Sequence, residues 1–229
     1  MRRQRWIAAA ALLCTLWALS IAGLAAAANV WDAKPYTDWS QKEVQEMLSD
    51  SPWAHKLSVV VPIPPRPEND DAGGRGGRGG GEGAGGRGFP IPSPQLKLVI
   101  TWRSALPVRQ ALIRLPNGAT NAAVDQQPLL EPSPLYVITL AGVPARYAKA
   151  TASAGTTTFL RRGKKAPIAI TQGGLQQDGA TLTMIFGFPR TDPITLDDKD
   201  VEFVTTIGTI EIKKKFALKD LVFNGQLEL

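Results

Sequence analysis

The residue types that carry most enzyme chemistry are scarce in this chain. Its 229 residues include one histidine, His55, and one cysteine, Cys14. That inventory excludes zinc sites built from several His or Cys ligands. A Ser-His-Asp relay would have to run through His55. No serine sits in a G-x-S-x-G frame, and no Ser-x-x-Lys occurs after the N-terminal segment. His55 therefore reads as a surface residue just past a helix, not as a catalytic base.

Carboxylates are better supplied. "TDPITLDDKDVE" brings together Asp192, Asp197, Asp198, Asp200 and Glu202. Oxygen-rich loops can hold calcium, but the EF-hand spacing and its loop glycine are both missing here. The segment reads as a solvated turn before a strand. Carboxylate pairs for glycoside hydrolysis are set by distance in space, not in sequence. A carboxylate-dependent exported enzyme acting on glycans thus stands as an alternative function. No catalytic residue, metal or cofactor is expected.

"GGRGGRGGGEGAGGRG", residues 73–88, holds eleven glycines and three arginines. Arginines in flexible segments can stack on bases and pair with phosphates, which makes nucleic-acid binding a second alternative. Asp70, Asp71 and Glu82 dilute the charge and no aromatic residue interrupts the tract, so a solvated insert is the expected reading. Pro90 and Pro92 follow in place of the Gly-Lys-Ser/Thr and helix of a phosphate loop.

Four tryptophans, Trp31, Trp39, Trp53 and Trp102, are the candidate ligand or partner contacts. Such rings either form an aromatic platform on the surface or anchor the N-terminal helix to a sheet. Packing is the expected role. Lys213, Lys214 and Lys215 read as charges that protect an edge strand from pairing with other chains.

The elements that must position these residues are partly legible. In "YTDWSQKEVQEMLSDSPW", Ser40 and Glu43 fit a capping box, and Trp39 with Val44 fits a hydrophobic staple. Val44, Met47 and Leu48 share a helical face, and Pro52 ends the helix near Asp50 or Ser51. Leu57–Val61 is a β-branched run and reads as a strand. Residues 65–94 are expected to be a disordered insert, too polar and glycine-rich to offset an ordering cost of about 1–2 kcal/mol per residue.

Leu96, Leu98, Ile100 and Trp102 alternate, which predicts a strand over 96–104. A second helix is expected from Ser104 as cap, with Leu106, Val108, Ala111, Leu112 and Leu115 on its apolar stripe and Pro116-Asn117-Gly118 as its stop. Further strands are expected at 135–142, in "TTTFLRRG" and "APIAIT" around a basic turn at 161–165, at 180–188, over 200–216 with a bulge or bend at Gly208, and at the C-terminus. "PARYAKATA" suggests a helical turn or two. The fold class is α+β: a mostly antiparallel sheet with an N-terminal helix and one further helix packed on it.

Arg2, Arg3 and Arg5 precede an uncharged, Ala- and Leu-rich run that closes on Ala26-Ala27-Ala28. This fits a signal peptide cleaved after about Ala28 and a periplasmic or secreted protein; an N-terminal membrane anchor is the alternative. The full chain carries a net charge of +6, and removal of residues 1–28 leaves 23 Lys+Arg against 20 Asp+Glu and no cysteine. That mild excess does not imply a polyanionic partner, and the fold must rely on its core instead of disulfides. Residues 29–229 are expected to form a single domain interrupted by the insert.

"KPYTDWSQKEVQEMLSDSPWAHK", "ITWRSALPVRQAL" and "PITLDDKDVEFVTTIGTIEIKKKFALKDLVFNGQLEL" resemble segments of uncharacterised exported proteins from acidobacteria. The resemblance implies export and a single domain, and it carries over no catalytic or binding residue. The expected function is an exported, non-enzymatic protein of the cell envelope, an interaction or structural module whose partner is an envelope protein or glycan.

Overall fold

The computed structural model describes residues 30–62, 94–115 and 130–229. The expected signal peptide at 1–28, nearly all of the 65–94 insert and the Pro116-Asn117-Gly118 stop lie outside the described residues. The fold is α+β, with mostly antiparallel sheet and an N-terminal helix.

Helix α1 spans Gln41–Ser49. Ser40 Oγ accepts from the Glu43 N–H, and the Ser40 N–H donates to the Glu43 carboxylate at 2.6 Å, which closes the capping box. Val44 and Met47 are buried. Helix α2, Leu106–Arg114, packs mainly on α1 and on the 3-10 turn Tyr36–Asp38, and α1 also touches the strands Ala54–Val60 and Gln95–Trp102. Its cap differs from expectation. Ser104 Oγ accepts from the Val137 N–H at 2.9 Å, so it is committed to the sheet and not to the helix. The α2 N-terminus is instead satisfied from the far end of the chain, where the Leu106 N–H donates to Glu228 Oε2 at 3.0 Å.

Five strands form the first sheet in the order β1-β2-β3-β7-β6: β1 Ala54–Val60, β2 Gln95–Trp102, β3 Leu135–Pro144, β7 Thr181–Pro189 and β6 Gln172–Asp178. β1 and β2 form an antiparallel hairpin whose connection leaves at Val61 and returns at Pro94, where the Val61 N–H donates to the Pro94 carbonyl at 2.9 Å. The glycine-arginine tract is thus carried on that connection. The β3 ladder slips between Leu140 and Val143. Gly142 occupies the slip with φ +86°, and a Cβ there would stand 2.8 Å from the Lys97 carbonyl oxygen, so only glycine fits without strain.

The second sheet runs β5-β4-β8-β9, from β5 Ile168–Ala169, β4 Phe159–Arg161, β8 Asp200–Ile207 and β9 Ile210–Ala217. The expected long strand over 200–216 is therefore two strands, joined by a tight turn in which Gly208 has φ +61°. At the C-terminus, β10 Val222–Phe223 and β11 Gln226–Leu227 form a small hairpin around Asn224-Gly225, not one last strand.

The two sheets face each other. Trp102 on β2 meets Phe216 on β9 edge-on at 5.4 Å between ring centroids, and Phe186 on β7 meets Phe203 on β8 at 5.3 Å. The alternation read in β2 holds, since Leu96, Leu98, Ile100 and Trp102 are all buried. Only Ile170 and Thr171 separate β5 from β6, so the chain passes directly from the second sheet into the first along one side. No ladder joins β1 to β9 on the other side among the described residues. The sandwich is continuous at β5/β6 and has a seam between β1 and β9.

Candidate functional site

The seam holds a cleft of about 570 Å³. Three stretches far apart in sequence build it. The first is the helical turn Val30–Ala33, which brings Trp31. The second runs from α1 into β1 and brings Glu46, Asp50, Ser51, Pro52 and His55. The third is the end of β9, with Lys214, Lys215, Phe216 and Ala217, followed by Asp220. Lys215 and Ala217 also line a neighbouring groove of about 770 Å³ with Leu196, Lys199, Lys219 and Val222.

His55 is not a surface residue past a helix. β1 starts at Ala54, three residues earlier than the β-branched run suggested, so the imidazole stands on the strand and is half-buried. It tilts against the Phe216 ring at 5.4 Å. Burial lowers its pKa and the nearby Lys214 ammonium pushes the same way, while a hydrogen bond with the Pro52 backbone and the Asp50 carboxylate oppose them. The neutral ring is favoured. Lys214 breaks the alternation of β9: Ile210, Ile212 and Phe216 are buried and Lys214 occupies the same phase. Partial burial lowers its pKa, and its Nζ lies 6.0 Å from the Phe216 ring centroid. An inward lysine on an edge strand also blocks strand addition at the seam. Lys213 pairs with Glu211 at 2.8 Å and Lys215 with Asp200 at 3.0 Å.

Three of the four candidate tryptophans have packing roles. Trp39, Trp53 and Trp102 are each 2 % exposed or less and offer no ring face to a ligand. Trp53 Nε1 donates to the Glu228 carbonyl at 2.8 Å, and its ring meets Trp31 and Phe223 edge-on. Trp102 lies between Tyr136 and Phe216. Trp31 alone keeps open surface, and it does so on the cleft.

The acidic segment is occupied by the protein's own cations. Asp192 meets Arg162 at 2.5 Å, Asp198 meets Lys165 at 2.6 Å, and Glu202 meets Arg161 at 2.9 Å. The basic turn and the acidic turn thus neutralise each other. Arg162 is buried, not solvated: it also donates to the Asp192 and Ala166 carbonyls and pins the two turns together. Among the described residues no three His, Cys, Asp or Glu side chains are grouped to hold a metal ion, and no helix is long and apolar enough to cross a membrane.

Sequence reasoning did not single out Glu46, Asp50 and Asp220, the carboxylates of the cleft. Nothing in their local spacing sets them apart, because the seam assembles them only in three dimensions. A comparison of the chain with protein-family models, curated proteins and solved structures finds no match.

Proposed function

We propose that the chain is an exported, non-enzymatic interaction module of the cell envelope that engages an envelope glycan in the seam cleft. One observation carries this reading: of the four candidate tryptophans, the one with open surface stands in a cleft that also presents the half-buried His55 and charges of both signs. An aromatic face beside carboxylates and ammonium groups suits a sugar ring, which stacks by its apolar face and hydrogen-bonds by its rim. The test is calorimetric titration of the exported chain with fragments of its own cell-wall polysaccharides, alongside Trp31→Ala and Lys214→Ala. Binding that weakens at least tenfold in both variants supports the reading; no binding by the native chain across the fragments refutes it.

Glu46, Asp50 and Asp220 on the same cleft favour a second reading, a carboxylate-dependent glycan hydrolase. Release of reducing ends from any of these fragments, abolished by changing one of the three acids, distinguishes it. The reading through the glycine-arginine tract rests on residues outside the described ones. It predicts binding to single-stranded nucleic acid that falls steeply with salt and disappears on deleting residues 73–88.

A further inference from the structure

Among the described residues the sandwich has four edge strands, and three are visibly blunted. β1 carries Lys56, runs out at Pro62, and faces the seam. β9 carries Lys213, Lys214 and Lys215. β5 has two residues and follows Pro167. These are the usual protections against strand addition. β6 has none of them. Its seven residues, "QGGLQQD", are all exposed and pair with β7 without a bulge. They contain no lysine, arginine or proline, and β6 ends its sheet.

We propose that the free edge of β6 binds the β6 edge of a second copy of this chain, antiparallel and centred on Leu175. The sequence is self-complementary in that register. Leu175 faces Leu175 of the second copy on the two-fold axis. Gly174 faces Gln176 and Gly173 faces Gln177, so each long side chain meets a glycine. Gln172 faces Asp178, an amide donor against the strand's only charge. No two like charges and no two glutamines stand opposite.

The glycines carry a second, independent argument. Neither Gly173 nor Gly174 has positive φ, and a Cβ at either would make ordinary contacts, 3.8 Å to Ile170 Cδ1 and 3.6 Å to Ile185 Cβ. The chain's own packing therefore does not require glycine at these positions. A facing strand that brings Gln177 and Gln176 across from them would find room there for both long side chains.

Leu175 supplies the apolar contact. It is 49 % exposed and lines a cleft of about 410 Å³ with Ala148, Ile170, Met184 and Phe186. Directly opposed residues of antiparallel strands point to the same face. Leu175 of the second copy would then stand at the mouth of this cleft, and the contact is reciprocal. A seven-residue strand pair with one apolar anchor is a small interface, so a dissociation constant on the order of 10 µM is expected. The dimer does not depend on the seam cleft, and the two sites can fail separately.

The test uses the exported chain as it accumulates from the full reading frame. Sedimentation equilibrium should show a monomer–dimer equilibrium. Leu175→Lys opposes two ammonium groups on the axis and should weaken dimerisation at least tenfold, and mixing it with Leu175→Glu should restore a heterodimer. Both faces of β6 are exposed, so far-UV circular dichroism of these variants should be unchanged. Disulfide trapping reads the register independently, with Cys14→Ser included so that the introduced cysteine is the only one whether or not residues 1–28 are removed. Leu175→Cys should cross-link to itself on oxidation, whereas Gln172→Cys and Asp178→Cys should cross-link only when mixed. A chain that stays monomeric at ~200 µM overturns the proposal. So does a dimer indifferent to Leu175→Lys, or a Gln172→Cys chain that cross-links to itself as readily as to Asp178→Cys.

Discussion

Two buried tryptophans should respond to the same substitution by very different amounts. Trp53 and Trp102 are equally buried, at 1 % and 0 % exposure, and each makes two edge-on ring contacts. They differ at one atom. Trp53 Nε1 donates to the Glu228 carbonyl at 2.8 Å, whereas Trp102 Nε1 is buried with no partner among the described residues. Truncating either to phenylalanine costs about 1–2 kcal/mol in lost packing, between a one-methylene deletion and removal of the whole ring. In Trp102→Phe the loss is offset by removing an unsatisfied donor that itself costs about 1–3 kcal/mol. Its net effect should be close to zero. In Trp53→Phe a hydrogen bond goes as well and the Glu228 carbonyl loses its partner, so the total rises to about 2–4 kcal/mol. The gap between the two variants should be about 2 kcal/mol or more, which for a chain of this size is roughly 4–8 °C in melting temperature. Urea unfolding followed by far-UV circular dichroism measures it without relying on the altered fluorophore. A Trp102→Phe variant as destabilised as Trp53→Phe would refute the reasoning and show that shape, not hydrogen bonding, decides both sites.

Three further outcomes follow from local geometry. Glu43 is held at a pKa of about 2, below its ordinary 4.5, by a hydrogen bond from Lys34 and by the Ser40 backbone and hydroxyl; its stabilising effect is complete above about pH 4.5 and is lost as the pH falls toward 2, so Glu43→Gln should flatten the acid limb of stability against pH in that window. Glu228→Ala removes the remote cap of α2 and should cost about 0.5–2 kcal/mol, with Glu228→Gln intermediate because it keeps an oxygen acceptor for the Leu106 N–H, both read from denaturant midpoints. Gly142→Ala meets the Lys97 carbonyl oxygen at 2.8 Å as well as an unfavourable φ, whereas Gly179→Ala at the β6–β7 turn meets only the unfavourable φ, so the first should lower the melting temperature by more than the second.

How much of this was legible in the sequence depends on where each signal resides. α1 was readable because its start is written in four consecutive positions, Ser40 to Glu43, and its buried face in Val44 and Met47. β2 was readable because one face is wholly buried and the other mostly not. β6 was missed for the converse reason: with all seven residues exposed it has no apolar alternation, and a Gln- and Gly-rich strand looks like a loop. Ser104 has the chemistry of a cap, but the Val137 N–H claims its hydroxyl, a competition that only the fold reveals. Arg162 sits in a five-residue basic run yet is buried, because Asp192 approaches it from thirty residues away. The cleft was illegible as a unit, since residues 31, 46–55 and 214–220 meet only once the sandwich has formed.

The position of that cleft follows from how the sandwich closes. On the β5/β6 side the backbone itself crosses between the sheets, so closure there is covalent and leaves little choice of side chain. On the β1/β9 side closure is left to side chains: His55 against Phe216, Trp31 against Trp53, and an inward Lys214 where the alternation calls for an apolar residue. A half-buried ammonium costs stability that a leucine at position 214 would not. The fold needs no charge there, because Phe216 already fills the adjacent core position. Protection against strand addition accounts for a charge somewhere on β9, but Lys213 and Lys215 already supply two on its exposed face. Beside the block that an inward lysine adds to strand pairing at the seam, the role left for Lys214 is in the cleft it lines. If that is right, Lys214→Leu should stabilise the chain and abolish glycan binding together, and a variant that is stabilised and still binds would detach the lysine, and with it the seam, from function.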